Sequence, residues 1–171
     1  LLSQAEHDEE AQAILISPDS AYLDAVEAAL DKLLPTLERA NIARVSLSNR
    51  AALIYVENDQ IALDLIDEYG PEHFIICAKN EDFYVNNIGN AGSVFIGNYT
   101  PESAGDYASG TNHTLPTNGY AKNYSGVNLD SFLKSMTFQK ITAEGIQNIG
   151  PAIELMAEAE GLQAHKNAVT L

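Results

Sequence analysis

The chain has 171 residues, 46% of them apolar, and 9 basic against 24 acidic side chains leave a net charge of −15 with histidines neutral. That is one domain's worth of chain and not a disordered tail. The acidity excludes a general affinity for nucleic-acid backbone, which depends on Lys and Arg displacing phosphate counterions. A single cysteine, Cys77, makes neither an internal disulfide nor a thiolate metal cluster. Any metal must therefore sit on nitrogen and oxygen ligands.

In chain order, residues 1–12 (LLSQAEHDEEAQ) read as the interior or second half of a helix with no capping residue ahead of it. The closing HKNAVTL stops without a helix-stop signal, so both ends are expected to be cut. Four apolar runs have strand length and composition: AILIS at 13–17, AALIYV at 51–56, HFIICA at 73–78 and GSVFIG at 92–97. Helical patterns separate them. The first runs from Asp19 to Arg39 with Tyr22, Val26, Ala29, Leu30, Leu33 and Leu34 spaced by three and four; others cover Asp59 to Glu68 and Glu81 to Asn87. Pro18, Asp19 and Ser20 open the first helix, and Gly70-Pro71 closes the element before 73–78. Alternation of strand and helix predicts parallel pairing with helices on both faces.

Residues 98–128 are dense in Gly, Asn, Ser, Thr and Pro and lack periodicity. A loop so long in a compact domain is expected to be functional. Its three N-glycosylation triplets, at Asn98, Asn112 and Asn123, are what such a composition produces by chance. Helix returns at Leu129 to Lys134 and at Thr142 to Glu160, where Ile146, Ile149, Ile153, Leu155 and Met156 oppose Glu154, Glu158 and Glu160. The expected organisation is an α/β domain over 1–125 and a helical tail over 126–171. No stretch approaches the roughly 18 apolar residues that cross a bilayer, and no basic-then-apolar leader is present. The expectation is a soluble, cytoplasmic protein with no membrane or nucleic-acid partner.

Neither G-x-G-x-x-G nor G-x-x-x-x-G-K-[ST] occurs, so the standard phosphate cradles are missing. Gln4 and His7, three apart in a helical pattern, project from one face and can hold a common ion; surface Gln and His are also common. Glu72 and His73 sit where a Gly-Pro turn enters a strand, a rigid junction suited to acid–base groups. Strand alternation allows the plainer reading of one solvated Glu and one hydrogen-bonded His. Asp106 lies among glycines in AGDYASG, where it either approaches a ligand or caps a turn, and His113 follows in TNHTLP. His165 closes the tail, with Glu160 five residues before it. Cys77 reads as a core residue without a chemical role. Gln, His and Asp are ligands suited to zinc, and a Glu-His pair supplies acid–base capacity, which together point to a metal-assisted enzyme.

The segments LLSQAEH (1–7), GPEH (70–73), NAGSVFIG (90–97), YTPESAGDYASGTNHTLPT (99–117) and AHKNAVTL (164–171) resemble histidinol dehydrogenase, in order along the whole chain. The likeness covers the C-terminal two fifths or so of that enzyme. It implies oxidation of L-histidinol to L-histidine in two NAD-dependent steps through a bound aldehyde. It further implies an incomplete Rossmann-like parallel-sheet unit followed by a helical tail, without the glycine fingerprint. By the same likeness zinc falls on Gln4, His7, Asp106 and His165, and binds the substrate's nitrogens as a template. His73 becomes the general base on the alcohol and Glu72 the base that activates water. His113 and Glu160 match substrate contacts. The tail is expected to cross to a partner subunit in a homodimer, so that Glu160 and His165 complete the other chain's site. Most NAD contacts fall outside this stretch, which leaves the cofactor-binding residues unknown and the isolated fragment inactive. The rival is a non-catalytic metal- or imidazole-binding or dimerisation module.

Overall fold

The structure, a computed structural model, describes residues 1–170. They form two compact units, Leu1–Ser131 and Phe132–Leu171.

In the first unit β1 (Ile14–Ser17) pairs with β2 (Ala52–Tyr55), and β3 (His73–Ile76) with β4 (Ser93–Ile96). Both pairs are parallel, in the registers Ile14↔Ala52 and His73↔Ser93. The expected alternation is present, as two separate two-stranded sheets among the described residues. The helices are α1 (Leu2–Ala5), α2 (Ser20–Leu33), α3 (Ala40–Arg50), α4 (Asp59–Tyr69) and α5 (Glu81–Asn87). Local chemistry starts and stops them as the sequence requires. The Asp19 carboxylate accepts the Tyr22 N–H at the start of α2, and Asn58 accepts the Ile61 N–H at the start of α4. Gly70, at φ 63°, takes the left-handed position that closes α4.

The first third of the chain departs from expectation in three places. The first helix covers only Leu2–Ala5, and His7 falls in the turn after it. The helix expected through Arg39 ends at Leu33, because Pro35 in the following 3₁₀ turn, Leu34–Thr36, has no N–H to continue the ladder. A separate helix, α3, then follows; it buries only Ala43 and Ser46, so it carries no apolar stripe to betray it. Its anchor is polar: the Ser46 hydroxyl donates to the Ala11 carbonyl at 2.8 Å.

One apolar cluster joins both strand pairs. Val56, Ala62, Leu63, Ile66, Phe74, Ile76 and Tyr84 are buried together, with Ile16 and Ile54 packed against them. Alternation in β3 turns Phe74 and Ile76 into this core and His73 and Ile75 to the other face. Cys77 lies past the end of β3 and is an exposed free thiol, not a core residue.

The second unit contains α7 (Ala143–Ala159) and α8 (Gln163–Asn167). Thr142 caps α7 by accepting the Gly145 N–H at 3.0 Å. The helix expected at Leu129 to Lys134 is a 3₁₀ turn, Leu129–Phe132, and 133–142 has no regular structure.

Candidate functional site

The site is built on the face of β3 and β4 that looks away from the core. In the parallel register Ile75 is opposite Phe95, so Phe95 shares a face with His73, and the two rings lie 5.8 Å apart at 35°. Gly92 lets the chain entering β4 pass close to Glu72: a Cβ there would lie 2.5 Å from the Glu72 carbonyl oxygen. The Gly92 and Ser93 N–H groups donate to the Pro71 and Glu72 carbonyls at 2.8 and 2.9 Å. This clamp fixes the Glu72-His73 junction to the second strand.

A short helix, α6 (Glu102–Tyr107), lies within the segment expected to be loop. Gly105 allows it to sit on Phe95, since a Cβ at 105 would be 2.6 Å from the Phe95 ring. Residues 102 and 106 flank that contact one helical turn apart and share a side of the helix. The consequence is that Glu102 and Asp106 both reach His73: their carboxylate oxygens are 3.9 and 4.0 Å from its Nε2. The His73 side chain is 14% exposed, yet its Nε2 is buried with no hydrogen-bond partner. A buried polar atom without a partner is uncommon and points to a missing group.

From the other side, His7 brings a ring nitrogen within 4.8 Å of carboxylate oxygens of Glu102 and Asp106. The Arg39 guanidinium donates to the His7 carbonyl at 3.2 Å and so ties this turn to the start of α3. His7, Arg39, Glu102, Ser103, Asp106 and Tyr107 line a cleft of about 450 Å³. Burial pushes the Glu72 carboxyl above the usual carboxylate range; the Glu102 and Asp106 charges add to this, and the His73 and His7 imidazoles oppose it.

Among the residues singled out from sequence, His7, His73 and Asp106 therefore converge, with Glu72 next to them. Gln4 is half-buried on α1, and the His7 N–H donates to the Gln4 carbonyl at 3.3 Å across the turn that ends the helix. His113 is exposed in the loop after α6. Glu160 and His165 belong to the second unit, where they line a cleft of about 240 Å³ with Ile153, Met156 and Leu162. Glu102 escaped the sequence reading. Its signal was the spacing of four to Asp106, which shows only if ESAGDY is taken as helix.

The donor set suits zinc. His7, Glu102 and Asp106 supply one imidazole nitrogen and two carboxylate oxygens, the mixed N/O set that zinc and its neighbours accept. Parallel strands presenting an imidazole and several carboxylates at a loop–strand junction define an α/β protein with a group of side chains that could hold a metal ion.

Comparison with known proteins gives the family. The family profile for histidinol dehydrogenase matches residues 1–171. Histidinol dehydrogenase of Bacteroides fragilis (strain YCH46) is 54% identical over 171 residues, covering 100% of this chain and 40% of the relative. The chloroplastic histidinol dehydrogenase of Arabidopsis thaliana is 51% identical over 172 residues, covering 37% of its length. The crystal structure of histidinol dehydrogenase from Elizabethkingia anophelis superposes with a TM-score of 0.91 at 52% identity, covering 98% of this chain and 39% of that one. This chain belongs to the histidinol dehydrogenase family. It spans about 40% of the length of the curated relatives it matches.

Proposed function

We propose that the chain carries the metal- and substrate-binding part of a zinc- and NAD-dependent histidinol dehydrogenase, which oxidises L-histidinol to L-histidine through histidinaldehyde with two NAD⁺. The observation that carries this reading is the buried, partnerless Nε2 of His73, 4.0 Å from an oxygen of Asp106, a residue that lines a cleft together with His7. In this reading Gln4, His7 and Asp106 hold zinc together with His165, and Asp106 and His7 orient the substrate around it. Zinc, when bound, supplies a Lewis-acidic template for the imidazole and amino nitrogens of histidinol.

His73 Nε2 would take the proton of the alcohol and, as the imidazolium, hydrogen-bond the aldehyde oxygen and polarise it for hydration. Glu72 removes a proton from the water that adds to that aldehyde, forming the hydrate oxidised in the second hydride transfer. Its raised pKa makes it a stronger base than an exposed carboxylate, as this step needs. Phe95 against His73 and the aliphatic wall of β3 limit water on one side of the ring. His113 and Glu160 contact the carboxylate or alcohol end and the amino group of the substrate.

The second unit is the exchanged tail of a cytoplasmic homodimer, bringing Glu160 and His165 to the partner's site. Phe132 and Phe138 support this, because they are 79% and 88% exposed and offer apolar surface that a partner chain can cover. The NAD contacts are assigned to no residue here, so the isolated chain binds substrate without turning it over. The test joins this chain to the complementary N-terminal portion of the Bacteroides fragilis relative. In that chimera Glu72→Gln retains histidinol binding and stops histidine formation; a variant that forms histidine at the parental rate overturns the role of Glu72. A chimera that binds zinc and histidinol but never reduces NAD⁺ in any form favours the binding-module reading.

A further inference from the structure

Residues 117–120 form a tight turn in which the Tyr120 N–H donates to the Thr117 carbonyl at 3.0 Å. Its central residues, Asn118 at φ 57° and Gly119 at φ 74°, are both left-handed, and Asn118 is the one non-glycine at positive φ among the described residues. A turn of this mirror-image kind selects Asn followed by Gly, because Asn tolerates the left-handed region better than most side chains and Gly enters it freely. The same dipeptide is chemically labile. Glycine has no Cβ to shield its amide nitrogen, which here directly follows a residue bearing a carboxamide. Neither group is held: Asn118 is exposed, and no hydrogen bond among the described residues involves its side chain or the Gly119 N–H. This is the only Asn-Gly pair in the sequence; the exposed Asn98, Asn112 and Asn123 precede Tyr, His and Tyr, whose side chains crowd the corresponding nitrogen. The turn is seated closely on the end of α4, just before Glu72. A Cβ on Gly70 would lie 3.2 Å from the Gly119 carbonyl oxygen and 3.4 Å from its Cα, and one on Gly119 would lie 3.3 Å from the Tyr69 carbonyl oxygen. Lys122, in the same turn region, pairs with Glu68 at 3.1 Å.

We propose that Asn118 deamidates spontaneously in the folded chain, and that the isoaspartate formed there loosens the seat of the turn on α4. The Gly119 amide nitrogen attacks the carbonyl carbon of the Asn118 side chain. A new carbon–nitrogen bond closes a cyclic succinimide, the bond to the side-chain nitrogen breaks, and ammonia leaves carrying the Gly119 amide proton. Water then opens the ring. Addition at the side-chain carbonyl restores the main chain and leaves Asp; addition at the main-chain carbonyl leaves isoaspartate, with an extra methylene in the backbone. Either product adds negative charge to a chain already at −15. Only isoaspartate lengthens the chain, at a turn whose backbone atoms already stand in contact with Tyr69 and Gly70.

The test is incubation of the native chain in mildly alkaline buffer, with its fold followed by circular dichroism, then peptide mapping by fragmentation mass spectrometry and labelling with an isoaspartyl methyltransferase. Position 118 gains the mass difference between a hydroxyl and an amino group tenfold or more faster than positions 98, 112 and 123, and it carries most of the methyl label. Asn118→Gly, which suits the left-handed position and removes the carboxamide, abolishes that label. The isoaspartate-rich fraction separated by anion exchange unfolds at a lower urea midpoint than Asn118→Asp, which has the same charge on a chain of normal length. Should Asn118→Gly fail to fold, the comparison of positions within the parent chain decides alone. If position 118 of the folded chain converts no faster than the other three, or if the label persists in folded Asn118→Gly, the inference is overturned. It is overturned equally if the isoaspartate fraction and Asn118→Asp share one midpoint.

Discussion

Replacing Gly105 with Ala is the sharpest test of how the site is positioned. The new Cβ would lie 2.6 Å from Phe95 Cε1, 3.0 Å from Cζ and 3.2 Å from the Thr111 hydroxyl oxygen. Ordinary contact begins at 3.4 Å, so α6 must lift or the Phe95 ring must turn. Phe95 is only 4% exposed and has little room to do so. Overpacking of this kind costs about 1–3 kcal/mol, and the better helix propensity of Ala returns about 0.5–1 kcal/mol. The net loss is about 0.5–2 kcal/mol. At a mid-range urea slope of about 2 kcal/mol/M the midpoint falls by about 0.25–1 M. Lifting α6 also carries Glu102 and Asp106 away from His73 and His7, and because ligand distances tolerate only about 0.2 Å, zinc affinity falls with stability. Trimming the ring tests the cause: in Phe95→Leu/Gly105→Ala the two losses sum to less than the singles by about 1 kcal/mol. An unchanged or raised midpoint for Gly105→Ala would refute the docking of α6 on Phe95.

Other consequences follow from the same coordinates. Gly92→Ala drives a Cβ against the Glu72 carbonyl oxygen and disturbs the two N–H bonds that join β4 to Pro71 and Glu72; the loss is about 2–4 kcal/mol by urea unfolding, whereas Gly89→Ala, with its Cβ at 3.6 Å from Asp67, stays within about 0.5 kcal/mol of the parent. Asp67 accepts the Gly89 and Asn90 N–H groups, both at 2.9 Å, so Asp67→Ala costs about 1.5–3 kcal/mol. Burial, and then the hydrogen bond to Asp59, push the Tyr84 phenol above its ordinary value. A raised folded pKa gives stability that is whole below about pH 10 and is lost as pH rises above it; Tyr84→Phe therefore flattens the alkaline limb of the stability curve, and an unaltered limb would contradict the assignment. Cys77, exposed past the end of β3, reacts stoichiometrically with a thiol reagent in the native chain.

The parts of this molecule that were legible in its sequence are those governed by local rules. All four strands follow apolar runs of strand length. The caps at Asp19 and Asn58 and the stop at Gly70 are side-chain and backbone chemistry visible residue by residue. What stayed hidden depends on contacts distant in sequence. α3 is held by Ser46 reaching Ala11 across 35 positions and needs no apolar stripe. α6 is six residues long, contains a glycine, and exists because Phe95 and Thr111 receive it; the Thr111 hydroxyl donates to the Gly105 carbonyl at 3.1 Å. Reading that stretch as loop kept Asp106 and hid Glu102. Cys77 was misread because the apolar run extends past the paired residues, and burial ends with the pairing.

The site itself was legible mainly through likeness. Spacing alone offers Gln4 and His7 as a helical pair; α1 ends at Ala5, and one further turn, closed by the His7 N–H on the Gln4 carbonyl, carries the chain to His7. The convergence of His7, His73 and Asp106 joins residues up to 99 positions apart. No local pattern encodes such a meeting; it is produced by β3 lying beside β4 and by α6 returning over both.

The most direct measurement is a calorimetric titration of L-histidinol into the chain with and without one equivalent of zinc, at a concentration that favours dimers. The account predicts binding that requires zinc and that Asp106→Asn abolishes in a folded sample. Equal binding in the absence of zinc, or none in the folded zinc-loaded chain, would contradict it.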